Sequence, residues 1–181
     1  MEEKELIPQA PEEEEYWDIY DSHKQVTGRL MKRNDWILRD GEYHLSVLGV
    51  IRREDGHFLI TRRVLSKHWA PGWWEVPGGG ARAGETSYEA VVREVREETG
   101  LDVSGCSDRE PVLTYHRENP GEGDNYFVDV YRFVLPFEAE DIRLQTSESL
   151  EFEIADLDRI RQLDQEGIFL HYQSIRSVLE G

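Results

Sequence analysis

Eight residues, REVREETG at 93–100, set Glu94, Glu97 and Glu98 beside Arg93 and Arg96. Like charges three and four positions apart are neighbours on a helix and repel. Two readings fit this spacing: a solvated, salt-bridged helix face, or a cage of oxygen ligands for a divalent cation. At about 100° per residue, Tyr88, Val91, Val92 and Val95 form an apolar stripe, with Glu89, Arg93 and Arg96 roughly opposite. Glu94, Glu97 and Glu98 share a third sector with the small Ala90, so the wheel leaves the trio unneutralised and with space beside it. Hard cations such as Mg²⁺ take carboxylate and carbonyl oxygens. The glycines Gly78, Gly79 and Gly80 lie just upstream, where backbone can approach a ligand without side-chain obstruction.

The elements that must hold these groups are legible. Residues 85–99 read as the best helix, opened by Gly84 and Glu85 and closed by Gly100. YHLSVLGVIRR (43–53) and HFLITRR (57–63) read as strands of a hairpin around the turn EDG. YWDIYD and QVTGRLMKR read as two earlier strands, and GWWEVPGGG as a short strand entering the glycine loop. PVLTYHR, NYFVDVYRFVL and LEFEI read as later strands. ADLDRIRQL and IFLHYQSIRSVLE read as helices separated by Gly167. Strands mixed with a few helices imply α+β or mixed α/β layering.

Composition narrows the partners. The 181 residues suit one domain, expected over 15–181, after an acidic and disordered tail at 1–14. The formal net charge of −17 repels nucleic acid and anionic membrane. It also repels free nucleotides, so a phosphorylated substrate needs local arginines or bound metal to reverse the field. The single cysteine, Cys106, excludes an intramolecular disulfide and suits a reducing cytosol. No signal peptide is expected from the acidic start, and the apolar runs are too short to span a bilayer.

With the glycines included, the sequence resembles the Nudix hydrolase family. Its signature is Gly, five residues, Glu, seven residues, then Arg-Glu-apolar-any-Glu-Glu-any-Gly-apolar. Gly79, Glu85, Arg93, Glu94, Val95, Glu97, Glu98, Gly100 and Leu101 fill every fixed position. The resemblance extends over about residues 40–165. It implies an α/β/α sandwich with a mixed sheet, and hydrolysis of a diphosphate linkage in a small nucleoside diphosphate derivative. It also implies Mg²⁺, with Mn²⁺ able to substitute, held by Glu94, Glu97, Glu98 and a backbone carbonyl of Gly79 or Gly80. Glu94 or Glu98 is the candidate base; Glu85 and Arg93 look like a structural ion pair fixing the loop to the helix. Many relatives are homodimers, and the early strands could serve pairing or cover a sheet edge.

Other residues carry paired readings. One of Arg62 and Arg63, which point to opposite faces of a strand, could reach substrate phosphates; otherwise they make surface ion pairs. Trp69, Trp73 and Trp74 could wall a base or a terpenoid tail, with Trp74 taken as the substrate-binding one, or pack in the core. Tyr115, His116, Asn125 and Tyr126 flank a loop where family members contact the leaving group, and Tyr126 is the candidate among them. Glu148 or Glu151 stands where some members add a metal ligand or base, and Glu148 is preferred. An isopentenyl-diphosphate isomerase-like enzyme is the alternative, since FLITRRVLSKHWAPGWWEVPGGG also resembles that branch. Gly78 and Gly80 stand where the isomerase needs Cys and His. A catalytically silent ligand-binding module is the third reading.

Overall fold

The computed structural model describes residues 14–181. The expected disordered tail therefore falls, except for Glu14, outside the described residues. Strands β1 (Tyr16–Tyr20) and β2 (Val26–Lys32) form an antiparallel hairpin of their own. The main sheet is mixed. Its seven strands are β3 (His44–Arg52), β4 (Phe58–Arg63), β5 (Trp74–Glu75), β6 (Gly78–Gly80), β7 (Leu113–Arg117), β8 (Tyr126–Val134) and β9 (Ser149–Ala155). β3 runs parallel to β8 over its whole length, and β7 lies antiparallel beyond β8. The other edge of β3 is shared: β6 pairs with Ser46–Leu48, and β4 meets Arg52 before diverging to pair with β5 and β9.

Alternation along β3 builds two cores. Leu45, Val47 and Ile51 face helix α1 (Ser87–Thr99), whose Ala90, Val91 and Val95 are buried. Val50, with Val128 and Val130 of β8, faces helices α2 (Leu157–Gln165) and α3 (Tyr172–Glu180). Helices thus cover both faces of the sheet, as expected. None is long and apolar enough to cross a membrane among the described residues.

The start of α1 differs from the sequence reading. Thr86, not Gly84 or Glu85, is the cap: its Oγ1 accepts the Glu89 N–H at 3.1 Å, and Glu89 returns a carboxylate to the Thr86 N–H at 3.4 Å. This capping box frees Glu85 for another partner. Gly100 ends the helix at φ 79°.

The β1–β2 hairpin is fastened to the sheet by a buried ion pair that spacing did not reveal. Lys24, at the hairpin turn, donates Nζ to both oxygens of Asp129 at 2.6 and 2.7 Å. Asp129 is fully buried in β8 and also accepts from Ser87 Oγ (2.5 Å) and Thr114 Oγ1 (2.7 Å). Removing the cation leaves a buried charge without its counter-ion. Lys24→Met is therefore expected to cost about 3 kcal/mol, or roughly 10 °C in Tm, read by thermal unfolding. An unchanged Tm would show the pair to be dispensable.

Candidate active site

The site forms where β6 passes α1. Ala81 N–H donates to Leu45 O and Gly49 N–H to Pro77 O, so the intervening partners Val47 and Gly79 are the next hydrogen-bonded pair of the ladder. The Gly79 carbonyl therefore points into the sheet. Gly78 and Gly80 turn their backbone groups the other way, and there Gly78 N–H meets Glu98 Oε2 at 3.2 Å and Gly80 O accepts Arg93 at 3.1 Å. This corrects the expectation that Gly79 offers a carbonyl to metal; of the three, Gly78 and Gly80 face the carboxylates. What Gly79 contributes is space. A Cβ there would lie 2.6 Å from Oε1 of Glu94. Gly79→Ala is expected to push Glu94 off β6 and lower kcat/KM about 100-fold, measured by steady-state kinetics; unaltered kinetics would remove Glu94 from the chemistry.

Arg93 organises the acidic side chains. Its Nε and NH2 hold Glu85 at 2.7 and 2.9 Å, and NH1 reaches Glu94 at 2.9 Å and Glu97 at 3.3 Å. The wheel placed Arg93 off to one side and left the trio unneutralised. The structure corrects this, because the long guanidinium arm reaches back over its own i+1 and i+4 neighbours. Two of the three carboxylates are thus shared with Arg93. Glu98 forms no ion pair among the described residues and is half-buried.

Electrostatics follow from this packing. Burial pushes the Glu94 carboxyl up to about 7, against the pull of Arg93. Burial, then the charges of Glu94, Glu75 and Glu148, holds Glu98 well above the ordinary carboxylate range. Glu75 was missed in the sequence. It lies opposite Thr61 in the β4–β5 pair, accepts Arg63 NH1 at 3.4 Å, and is itself raised by burial. Its signal was the alternation of WWEVP, which turns Glu75 away from the face that buries Trp74.

Other candidates fall on both sides of their paired readings. Glu148 adds to the field at Glu98 and is ion-paired with Lys67. Arg62 donates to Gly72 O at 2.9 Å and lies 3.6 Å from Glu151. Arg63 binds Trp69 O at 3.0 Å and 3.2 Å and stacks on the Trp69 ring. Both arginines thus brace the loop 64–73. Trp74 departs from its assignment to substrate: β4 and Phe169 flank it, and its indole is buried in the core under α2 and α3. Tyr126 is half-buried, 5.4 Å from the His44 ring, on the sheet face away from α1.

The donors around Glu94, Glu97 and Glu98 are all oxygens, which suits a hard divalent cation. Among the described residues no three acidic, His or Cys side chains converge as a preformed cage. Arg93 holds Glu94 and Glu97 while Glu98 turns to Gly78, so a cation would be received by rotation of these side chains about a fixed backbone.

The NUDIX domain model matches residues 42–176. The chain is 30% identical to an uncharacterized Nudix hydrolase of Listeria innocua, over 92% of this chain and 94% of that protein. It is 32% identical to the isopentenyl-diphosphate Delta-isomerase of Salmonella heidelberg, over 59% of each. Among solved structures, the NUDIX domain of Shewanella oneidensis NrtR, complexed with ADP ribose, superposes with a TM-score of 0.54 at 19% identity, covering 66% of this chain and 77% of that one. This chain belongs to the Nudix family, and its relatives' names support a hydrolase acting on pyrophosphate bonds.

Proposed function

We propose that the chain is a Mg²⁺-dependent pyrophosphohydrolase that cleaves the diphosphate linkage of a nucleoside diphosphate derivative. One observation carries the reading. Glu98 is a half-buried carboxylate with no cationic side chain of its own, set in the field of three further glutamates. Such a group is costly unless a cation joins it.

Glu94, Glu97, Glu98 and the Gly78 carbonyl would hold Mg²⁺ or Mn²⁺, with Glu148 and Glu75 closing the far side. Bound there, the ion supplies neutralisation of diphosphate oxygens and an acidified water. Arg93 holds Glu94 while also binding Glu85 and the Gly80 carbonyl, which braces the loop against the helix. Glu94 or Glu98, beside the place where that water would stand, is the group to take its proton. The substrate is a small molecule, and a cytosolic setting fits the single cysteine.

The test is a panel of nucleoside diphosphate derivatives, including ADP-ribose and nucleotide sugars, incubated with protein and Mg²⁺. Release of a nucleoside monophosphate from at least one is expected; release from none refutes the reading. The isomerase relatives favour a second reading, proton transfer on isopentenyl diphosphate. Glycines at 78 and 80 and the placement of Cys106 beyond α1, near Val134 O, weigh against it. Solvent deuterium entering isopentenyl diphosphate would establish it.

A further inference from the structure

Positive charge gathers at one place in this acidic chain, where the start of α3 meets β7 and the loop 64–73. Arg117, the last residue of β7, donates Nη2 to Ser174 Oγ in the first turn of α3 at 2.6 Å. Its guanidinium lies 5.7 Å from the centre of the Tyr115 ring. His171 precedes α3, and its ring centroid is 5.9 Å from that of Trp69. Arg63 lies over the same Trp69 ring, 5.3 Å from its centre. Burial, then the charges of Arg117 and Arg63, lowers the pKa of His171, so both arginines bear on one imidazole.

Protein groups leave much of this cluster unanswered. Arg117 is exposed and forms no ion pair among the described residues, in a chain whose net charge is −17. The Tyr115 hydroxyl is shielded from water and has no hydrogen-bond partner among the described residues. His171 gives α3 no side-chain cap. Helix geometry leaves the N–H groups of residues 172–174 without an intrahelical acceptor, at the positive end of the helix. Two arginines beside one imidazole repel each other unless an anion joins them. The polar groups on offer are donors: a guanidinium fork, a phenol, the Ser174 hydroxyl and backbone N–H. Their natural partner is compact, doubly charged and rich in acceptor oxygens, which describes a phosphomonoester. The cluster faces α3, on the side of the sheet opposite the α1 carboxylates. Arg63 ties the two places together: its Nη1 meets Glu75 at 3.4 Å, and Glu75 stands in the field of Glu98.

We propose that Arg117, His171 and Ser174 form a second anion subsite, which takes a phosphomonoester carried by the substrate apart from the diphosphate that is cleaved. The inference rests on the hydrolase reading and narrows it to substrates bearing one phosphate more than the diphosphate itself. Arg117 supplies a planar fork to two phosphate oxygens. Ser174, whose oxygen already accepts from Arg117, keeps its own O–H to donate. The Trp69 and His171 rings wall the side toward the loop 64–73.

The test is calorimetric titration of the full chain, in Mg²⁺, with AMP, adenosine 2′,5′-bisphosphate, adenosine 3′,5′-bisphosphate and inorganic phosphate. At least one bisphosphate is expected to bind about tenfold or more tightly than AMP, the range of one charge-assisted contact. Arg117→Gln should bring that ratio to within about threefold of one, because the fork and its charge are lost. His171→Asn removes the imidazole but suits the left-handed backbone at φ 63°, and should lower the ratio about threefold. Arg176→Gln removes a cation of α3 that is paired with Glu180, and should leave the ratio unchanged. The inference is overturned if neither bisphosphate exceeds AMP, or if Arg117→Gln keeps the full ratio. It is equally overturned if Arg176→Gln lowers the ratio as much as Arg117→Gln, which would mark a general effect of charge. Inorganic phosphate that binds through Arg117, with no advantage for either bisphosphate, would place a free anion here and overturn it too. Hydrolysis of a nucleoside diphosphate derivative with no bisphosphate preference would sink this inference alone. An Arg117-dependent preference without hydrolysis of any nucleotide would support it and sink the hydrolase reading alone.

Discussion

Glu98→Gln is expected to lower kcat about 10³-fold while leaving the protein as stable as before or slightly more so. The two effects share one cause. Glu98 sits where burial and the charges of Glu94, Glu75 and Glu148 all disfavour ionisation. Glutamine keeps the shape and the oxygen that accepts the Gly78 N–H at 3.2 Å, but removes the unfavourable charge. A residue present for packing would show the opposite pattern, with stability lost and residual activity tracking the folded fraction. Parallel measurement of kcat and of urea unfolding separates them. Near-normal turnover in Glu98→Gln would end its assignment as a ligand.

The metal-free protein is expected to be more stable at pH 5.5 than at pH 8.5. Glu94 has an ordinary carboxyl pKa when unfolded and one of about 7 when folded. The folded state therefore holds its proton over the interval from about pH 4.5 to 7, and must surrender it at a cost above that. Glu98 is raised in the same direction and extends the loss upward in pH. Stability present at low pH is thus lost as pH rises through the folded values, on the order of 2–3 kcal/mol at pH 8.5. Mg²⁺ should restore most of it at pH 8.5 and little at pH 5.5, because protonated carboxyls do not bind it. Glu94→Gln should flatten the profile. Urea unfolding at both pH values, with and without Mg²⁺, measures this. Stability that rises with pH in the metal-free protein would contradict the burial of these groups.

Local periodicity and punctuation made most elements readable. The alternation of HLSVLGVIR gave β3, and the stripe Val91, Val95 with Gly100 gave α1 and its end. The acidic sector of α1 was readable because helical spacing alone determines it. What lay beyond reach depends on contacts distant in sequence. Arg93 could be assigned to Glu85 from the motif, but its further hold on Glu94 and Glu97 depends on how a flexible arm folds over its own helix. The Gly79 carbonyl is turned inward by the register of β6 on β3, which no local pattern fixes. Lys24 and Asp129 are 105 residues apart and meet only because the hairpin packs beside β8. Trp74 could not be divided between core and substrate until α2 and α3 were seen to cover its face of the sheet.

The account depends above all on the α1 carboxylates binding a divalent cation. Electron paramagnetic resonance titration of Mn²⁺ into the metal-free protein at pH 8 tests this without reference to any substrate. Binding by the wild type, weakened at least tenfold in both Glu94→Gln and Glu98→Gln and displaced by excess Mg²⁺, is the expected result. Mn²⁺ affinity unchanged by both substitutions would contradict it.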